Sequence, residues 1–115
     1  MDHRICDVLV IGSGAAGLRA AAAAKQAGAH VLVVSRGAPG KASATIVSGG
    51  AFAGSRDGES TAGHLERTLQ AGRGLNQRSL AEVLAEEAPA RLLELLGWGF
   101  DGGFHNGYLF SRGRC

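Results

Sequence analysis

Six residues near the start of the chain, Gly12-Ser13-Gly14-Ala15-Ala16-Gly17, constrain its fold more than any others. They follow Ile5 to Ile11 (Ile-Cys-Asp-Val-Leu-Val-Ile), a nearly unbroken apolar and β-branched run that suits a strand covered on both faces, as in a parallel sheet. They precede Leu18 to Ala27, an alanine-rich stretch with Arg19, Lys25 and Gln26 available for a polar side and Gly28 as a helix stop. Val31 to Val34 reads as a second buried strand. Strand, glycine turn, helix and strand in this order form a βαβ unit, whose crossover is expected to be right-handed.

The spacing G-x-G-x-x-G has a physical meaning in that setting. Gly12 permits the tight turn, Gly14 lets the backbone approach a pyrophosphate, and Gly17 lets the helix pack closely on the strand. The helix N-terminus then offers unpaired N–H groups and partial positive charge to an anion. The chain is therefore expected to be an α/β protein with a Rossmann-like domain binding an ADP-containing ligand, its pyrophosphate cradled by Gly12 to Gly17, with Ser13, Ala15 and Ala16 between the glycines. A glycine turn in an α/β protein without a nucleotide has the same local pattern. The flanking strand, helix and second strand are what separate the two readings.

An acidic residue commonly ends the second strand of such a unit and binds the adenosine ribose. Here Ser35 stands there, followed by Arg36. A serine hydroxyl can hydrogen-bond a ribose, whereas Arg36 could bind a 2′-phosphate and so point to NADP. The fingerprint specifies an ADP-containing ligand better than it specifies which one.

The remaining sequence is read more coarsely. Arg36 to Gly58 is rich in Gly, Ala and Ser and is taken as irregular, with a short extended stretch at Ala51-Phe52-Ala53. A helix is expected from Ser60 or Thr61 to Ala71, with Leu65 and Leu69 on one face. Another should begin after Asn76 as N-cap and bury Leu80, Val83 and Leu84, with Pro89 starting a new helix or kinking this one. Leu92, Leu93, Leu95, Leu96 and Trp98 read as core, with Gly97 as a stop; Gly99 to Arg114 reads as loops and short strands. The domain organisation follows: 1–58 as the βαβ unit and adjoining loop, 59–100 as a helical segment, and 101–115 as a loop and strand region.

Composition excludes several functions. Glycine occupies 19 of 115 positions without periodicity, which suggests tight turns rather than a fibrous repeat. Twelve basic and ten acidic residues are scattered, and a net charge of +2 spread in this way argues against nucleic acid or a membrane surface. No apolar run approaches the ~20 residues that span a bilayer. Met1-Asp2-His3-Arg4 leads into a strand rather than a signal peptide, and a disulfide between Cys6 and Cys115 is not expected, so a reducing, cytoplasmic setting fits best. Cys6 reads as a small buried apolar residue. His64 and Glu66 are two apart on a helix and have no third ligand nearby, so no metal site is expected. His105, near Asp101, reads as a loop residue. Glu82, Glu86 and Glu87 read as a solvated face, with Arg91 available to Glu87.

The segments DVLVIGSGAAGLRAA, VLVVSRG and SATIVSGGAFAG, from Cys6 to Gly54, resemble the FAD-binding start of the family that contains succinate dehydrogenase and fumarate reductase flavoproteins and L-aspartate oxidase. Thr61 through Gly74-Leu75-Asn76 to Glu86-Glu87-Ala88-Pro89 and Leu96-Gly97-Trp98-Gly99-Phe100 is similar to the same family. The aspartate oxidases share a serine followed by a basic residue at this strand end, which favours FAD over NADP. The resemblance implies that Ser13 to Gly17 meet the pyrophosphate and that Ser35 and Arg36 meet the adenosine end. It places Ser43 to Gly50 beside the flavin, using backbone N–H groups and the hydroxyls of Ser43, Thr45 and Ser48, with Ala44, Gly49 and Gly50 in the same run. Family members in membrane complexes attach FAD through a histidine in this segment. Ser43 stands at that place, so non-covalent FAD is expected.

The activity implied is that of an FAD-dependent oxidoreductase, with hydride exchanged between FAD and a small carboxylate such as succinate or fumarate, and an unspecified electron-transfer partner. In this family the substrate-binding Arg and His groups lie further along the chain than residue 115, so the catalytic residues are unassigned. The expectation is thus an N-terminal, incomplete part of the domain, without nucleic-acid binding or direct membrane insertion. A catalytically silent nucleotide-binding fragment and an NADP-binding domain are the competing readings.

Overall fold

Two short apolar runs pair side by side in the computed structural model, which describes residues 3–56 and 58–112. β1 (Val8–Ile11) and β2 (Val31–Val34) are parallel, with Val8 opposite Val31 and Ile11 opposite Val34. The crossover between them is α1 (Ala15–Gln26), so the βαβ unit read from the sequence is present. The strand starts later than the apolar run suggested. The His30 carbonyl accepts from the N–H groups of Asp7 and Val8, and the Asp7 carboxylate accepts from the His30 N–H at 2.7 Å. A side chain therefore closes the end of the sheet where Ile5 to Asp7 were expected to continue it. α1 starts three residues before Leu18, so the last three positions of the glycine fingerprint form its first turn. Gly28, at φ 89°, ends it as expected.

The strands were also expected to be covered on both faces. Within this unit α1 covers one: Val8 and Val10 are half-buried, whereas Leu9 is exposed and Ile11 is 81% exposed. A single crossover helix can shield only one face of a two-stranded sheet. Cys6 is half-buried rather than buried, and Cys115 lies outside the described residues.

The described chain divides into two units, Met1–Ser48 and Gly49–Cys115. The second contains β3 (Ala51–Ala53), α2 (Thr61–Gly72), α3 (Arg78–Gly97), β4 (Gly102–His105) and β5 (Tyr108–Ser111). Its antiparallel sheet has the order β3-β5-β4, so the last strand is central, and its Leu109 is fully buried. β4 and β5 form a hairpin with a two-residue turn, Asn106 at φ 47° and Gly107 at φ 79°. This is the left-handed pair that Asn-Gly favours because it matches the twist of the strands. His105 thus lies on a strand rather than in a loop, with its Nε2 3.2 Å from the Asn106 amide.

α2 starts at Ser60, whose hydroxyl accepts from the Gly63 N–H at 3.0 Å. Leu65 and Leu69 are only half-buried, and the fully buried side chain of this helix is His64. Asn76 does not cap α3; Gln77 occupies that position without a side-chain bond. Asn76 instead donates its amide to the Thr68 carbonyl at 3.2 Å, in space left by the missing side chain of Gly72. Arg73 at φ 48° and Gly74 at φ 86° turn the chain between them. The AG-x-G-L-N motif is thus a device for ending α2.

α3 buries a different stripe from the one expected. Ala81, Ala85, Ala88 and Leu92 are buried, whereas Leu80 (63% exposed), Val83 and Leu84 are open. The helix is apolar on more than one side, and the small alanines permit close packing with α2. Trp98 lies at the helix cap, 50% exposed, rather than in the core. Arg91 pairs with Glu94 at 2.6 Å rather than with Glu87, and Arg78 pairs with Glu82 at 2.9 Å.

Pro89 neither starts nor ends a helix; α3 runs through it. A proline there cannot donate to the carbonyl four residues back, that of Ala85. The Ser55 hydroxyl donates to that oxygen instead, at 3.2 Å. Replacing Ser55 by Ala should leave this carbonyl unpaired and cost about 1–2 kcal/mol in a denaturant titration. The same change in a Pro89→Ala background should cost clearly less, because residue 89 then has an N–H for Ala85.

Candidate functional site

The turn between β1 and α1 is fixed by contacts that exclude side chains. Gly12 has φ 111°, which other residues rarely adopt, and its N–H donates to the Val34 carbonyl at 2.7 Å, so the turn is joined to the end of β2. A Cβ at Gly17 would overlap the Gly12 carbonyl and lie 3.4 Å from Val10 Cγ1. This is the close helix–strand approach expected of the third glycine. Gly14 has extended backbone, φ −75° and ψ 179°, and a Cβ there would lie 3.4 Å from Ser43 Cβ and from Thr45 Oγ1.

Ser43 and Thr45 are therefore brought to the N-terminus of α1. A short 3₁₀ turn, Ala44–Val47, holds them there in a segment expected to be irregular. Thr45 Oγ1 accepts from the Ala15 N–H at 3.1 Å. Ser43 Oγ is buried with no partner among the described residues. The N–H groups of Ala16 and Gly17, in the first helical turn, have no acceptor within the helix. Two hydroxyls and a row of backbone donors thus face the positive end of a twelve-residue helix, an arrangement suited to a phosphate.

The other expected residues have different surroundings. Ser13 is 2% exposed, and its hydroxyl accepts from the Gly40 N–H at 3.0 Å, which ties the loop after β2 to the glycine turn. Gly40 was not anticipated, because its contribution is a backbone N–H and no residue type signals it. Ser35 directly follows β2 and donates to the Gly37 carbonyl at 2.6 Å; Arg36 is exposed. Ser48 donates to the Thr45 carbonyl at 2.7 Å and so closes the 3₁₀ turn. Gly49 and Gly50 open the second unit, where the Gly50 carbonyl accepts from the Ser111 N–H at 2.9 Å. That unit has a groove of about 670 Å³ lined by Phe52, Leu84, Glu87, Arg91 and the 3% exposed His64, whose Nδ1 has no partner among the described residues. Among the described residues no cluster of His, Cys, Asp or Glu could hold a metal, and no helix is long and apolar enough to cross a membrane.

Residues 7–114 match the family described as FAD binding domain. The chain belongs to that family. It is 34% identical over 108 residues to L-aspartate oxidase of Streptomyces coelicolor, covering 92% of this chain and 19% of that protein. It is 42% identical over 94 residues to the 8-methylmenaquinol:fumarate reductase flavoprotein subunit of Wolinella succinogenes, covering 78% of this chain and 15% of that one. Mycobacterium smegmatis Sdh1, solved in complex with UQ1, superposes with a TM-score of 0.82 at 34% identity, covering 92% of this chain and 18% of that chain. The chain therefore spans less than a fifth of the length of these relatives.

FAD is the cofactor of this family, and the residues present fit it. The fit rests on the Ser43 hydroxyl, which has no partner among the described residues, the Ala16 and Gly17 N–H groups that have no acceptor within the helix, and the bare Cα of Gly14, all at the N-terminus of α1. The second and third glycines should respond differently to substitution. Gly14→Ala meets only ordinary contacts and should change stability by less than about 1 kcal/mol while lowering FAD affinity at least tenfold. Gly17→Ala should destabilise the fold by about 1–3 kcal/mol, because the Gly12 backbone cannot yield cheaply. Thermal melts beside FAD fluorescence titrations separate the two effects.

Proposed function

We propose that this chain provides the dinucleotide-binding segment of a flavoprotein oxidoreductase that holds FAD non-covalently and acts on a small carboxylate. The observation that carries this reading is the Ser43–Thr45 hydroxyl pair at the N-terminus of α1, beside Gly14. In this reading Gly12, Ser13, Gly14, Ala15, Ala16 and Gly17 hold the pyrophosphate through backbone N–H groups, with Ser43, Ala44 and Thr45 closing over it. Ser35 and Arg36 hold the adenosine end. Ser48, Gly49 and Gly50 continue toward the flavin side.

Ser43 supports the non-covalent assignment. A serine hydroxyl can donate to a phosphate or flavin oxygen, whereas no histidine stands between His30 and His64 to attach the ring. Bound isoalloxazine supplies the redox chemistry, and this segment supplies binding and electrostatic placement. The carboxylate substrate class is taken from the names of the relatives, which oxidise L-aspartate or reduce fumarate.

The test is an absorption spectrum of the purified, desalted chain, repeated on the supernatant after acid precipitation. A flavin spectrum that passes wholly into the supernatant is expected. Flavin retained in the pellet would overturn the non-covalent assignment. A chain that stays colourless after incubation with FAD would overturn its role as a binding segment.

A further inference from the structure

α3 leaves an apolar face open. Leu80, Val83, Leu84 and the C-cap residue Trp98 are each at least half exposed. Leu80, Leu84, Glu87, Arg91 and Trp98 recur at helical spacing and so share one side of the helix. Continuous apolar surface of this kind marks a contact region. The charges within it are not paired with each other. Arg91 turns its Nη1 to Glu94 at 2.6 Å, so the Glu87 carboxylate lines the groove beside Leu84 without an ion pair among the described residues. The Nε and Nη2 donors of Arg91 are left for a second carboxylate.

We propose that this face pairs with itself, α3 of one copy lying antiparallel on α3 of a second copy about a two-fold axis at Pro89. Residue 89 is midway between Glu87 and Arg91, and also midway between Leu80 and Trp98. An axis there sets Glu87 against the second copy's Arg91 and Arg91 against its Glu87. It also brings each Trp98 over the opposite Leu80, at the Leu80–Leu84 end of the groove. One arrangement therefore pairs both charges and covers both apolar ends. A parallel pair would set Glu87 against Glu87 and Arg91 against Arg91, like charge on like. A two-fold contact requires a self-complementary surface, and the antiparallel setting supplies one. The face is about 27 Å long at ~1.5 Å per residue and narrow, which suits a weak, concentration-dependent dimer anchored by tryptophan. This pairing lies within the second unit and is independent of nucleotide binding.

The experiment is sedimentation velocity of the full chain over a concentration series, beside the fluorescence of Trp98, the only tryptophan in the sequence. The mass should rise toward that of a dimer, and the Trp98 emission should move to shorter wavelength over the same range. A chain that stays monomeric throughout overturns the inference, and so does a dimer that forms with no change at Trp98. Glu87 and Arg91 are exposed, so reversing either charge should leave the fold intact. Glu87→Arg and Arg91→Glu should each weaken the dimer about tenfold or more, and the double variant, which restores opposite charges across the axis, should return it to within about threefold of the wild type. Single reversals without effect, or a double variant no tighter than the singles, overturn the inference. If a reversed chain loses its circular dichroism spectrum, the wild-type Trp98 emission decides alone.

Discussion

The first unit depends on the approach of α1 to β1 at Gly17. A side chain at that position would occupy the space of the Gly12 carbonyl and press on Val10. The short distance has two effects. It seats the helix on the Val8–Val10 face of the sheet, and it aims the helix N-terminus at the end of the strands, where its unpaired N–H groups face outward. Burial of Val8 and Val10 and presentation of the first-turn N–H groups are therefore one packing event. The Gly12 N–H bond to Val34 adds β2 to the same arrangement, which places Ser35 beside the turn.

Around this core side-chain hydroxyls meet backbone groups of the loops. Ser13 fixes the loop at Gly40, Thr45 caps Ala15, and Ser48 closes the turn that carries Thr45. Three serine and threonine hydroxyls thus shape a segment that has no regular period, which is why it looked irregular from composition. The second unit uses the same approach. Ser55 serves the carbonyl stranded by Pro89, and Asn76 serves one near the end of α2. Gly72 of the AG-x-G-L-N motif makes room for the Asn76 bond, and Pro89 of the EEAP motif creates the unpaired carbonyl that Ser55 meets.

Legibility from the sequence varied with how local the controlling physics is. β2, α2 and β3 lie within a residue or so of where propensity and capping placed them, because Ser60, the valine run and the flanking glycines act on their own neighbours. The stripe buried by α3 was misread. Leu80, Val83 and Leu84 have more apolar surface than Ala81, Ala85 and Ala88, yet the alanines are the buried ones. Helical periodicity shows that a face exists, and when several are apolar the packing partner selects among them. Burial of His64 and exposure of Trp98 have the same origin, since neither follows from residue type.

The sequence by itself determined the βαβ unit, the glycine turn and the class of ligand it suits, because strand propensity, helix propensity and the absence of side chains act over a few residues. The Asn106-Gly107 hairpin turn, which the sequence reading left within a run of loops and short strands, has a left-handed backbone that those residues accept at little cost. Tertiary structure alone decided that β5 lies between β3 and β4, that Ser43 and Thr45 reach α1 from some thirty residues away, and that Ser13 meets the Gly40 N–H. These depend on the direction a chain takes after leaving a strand. That direction is set by which distant groups can satisfy one another's hydrogen bonds and fill one another's space, and no local pattern encodes it.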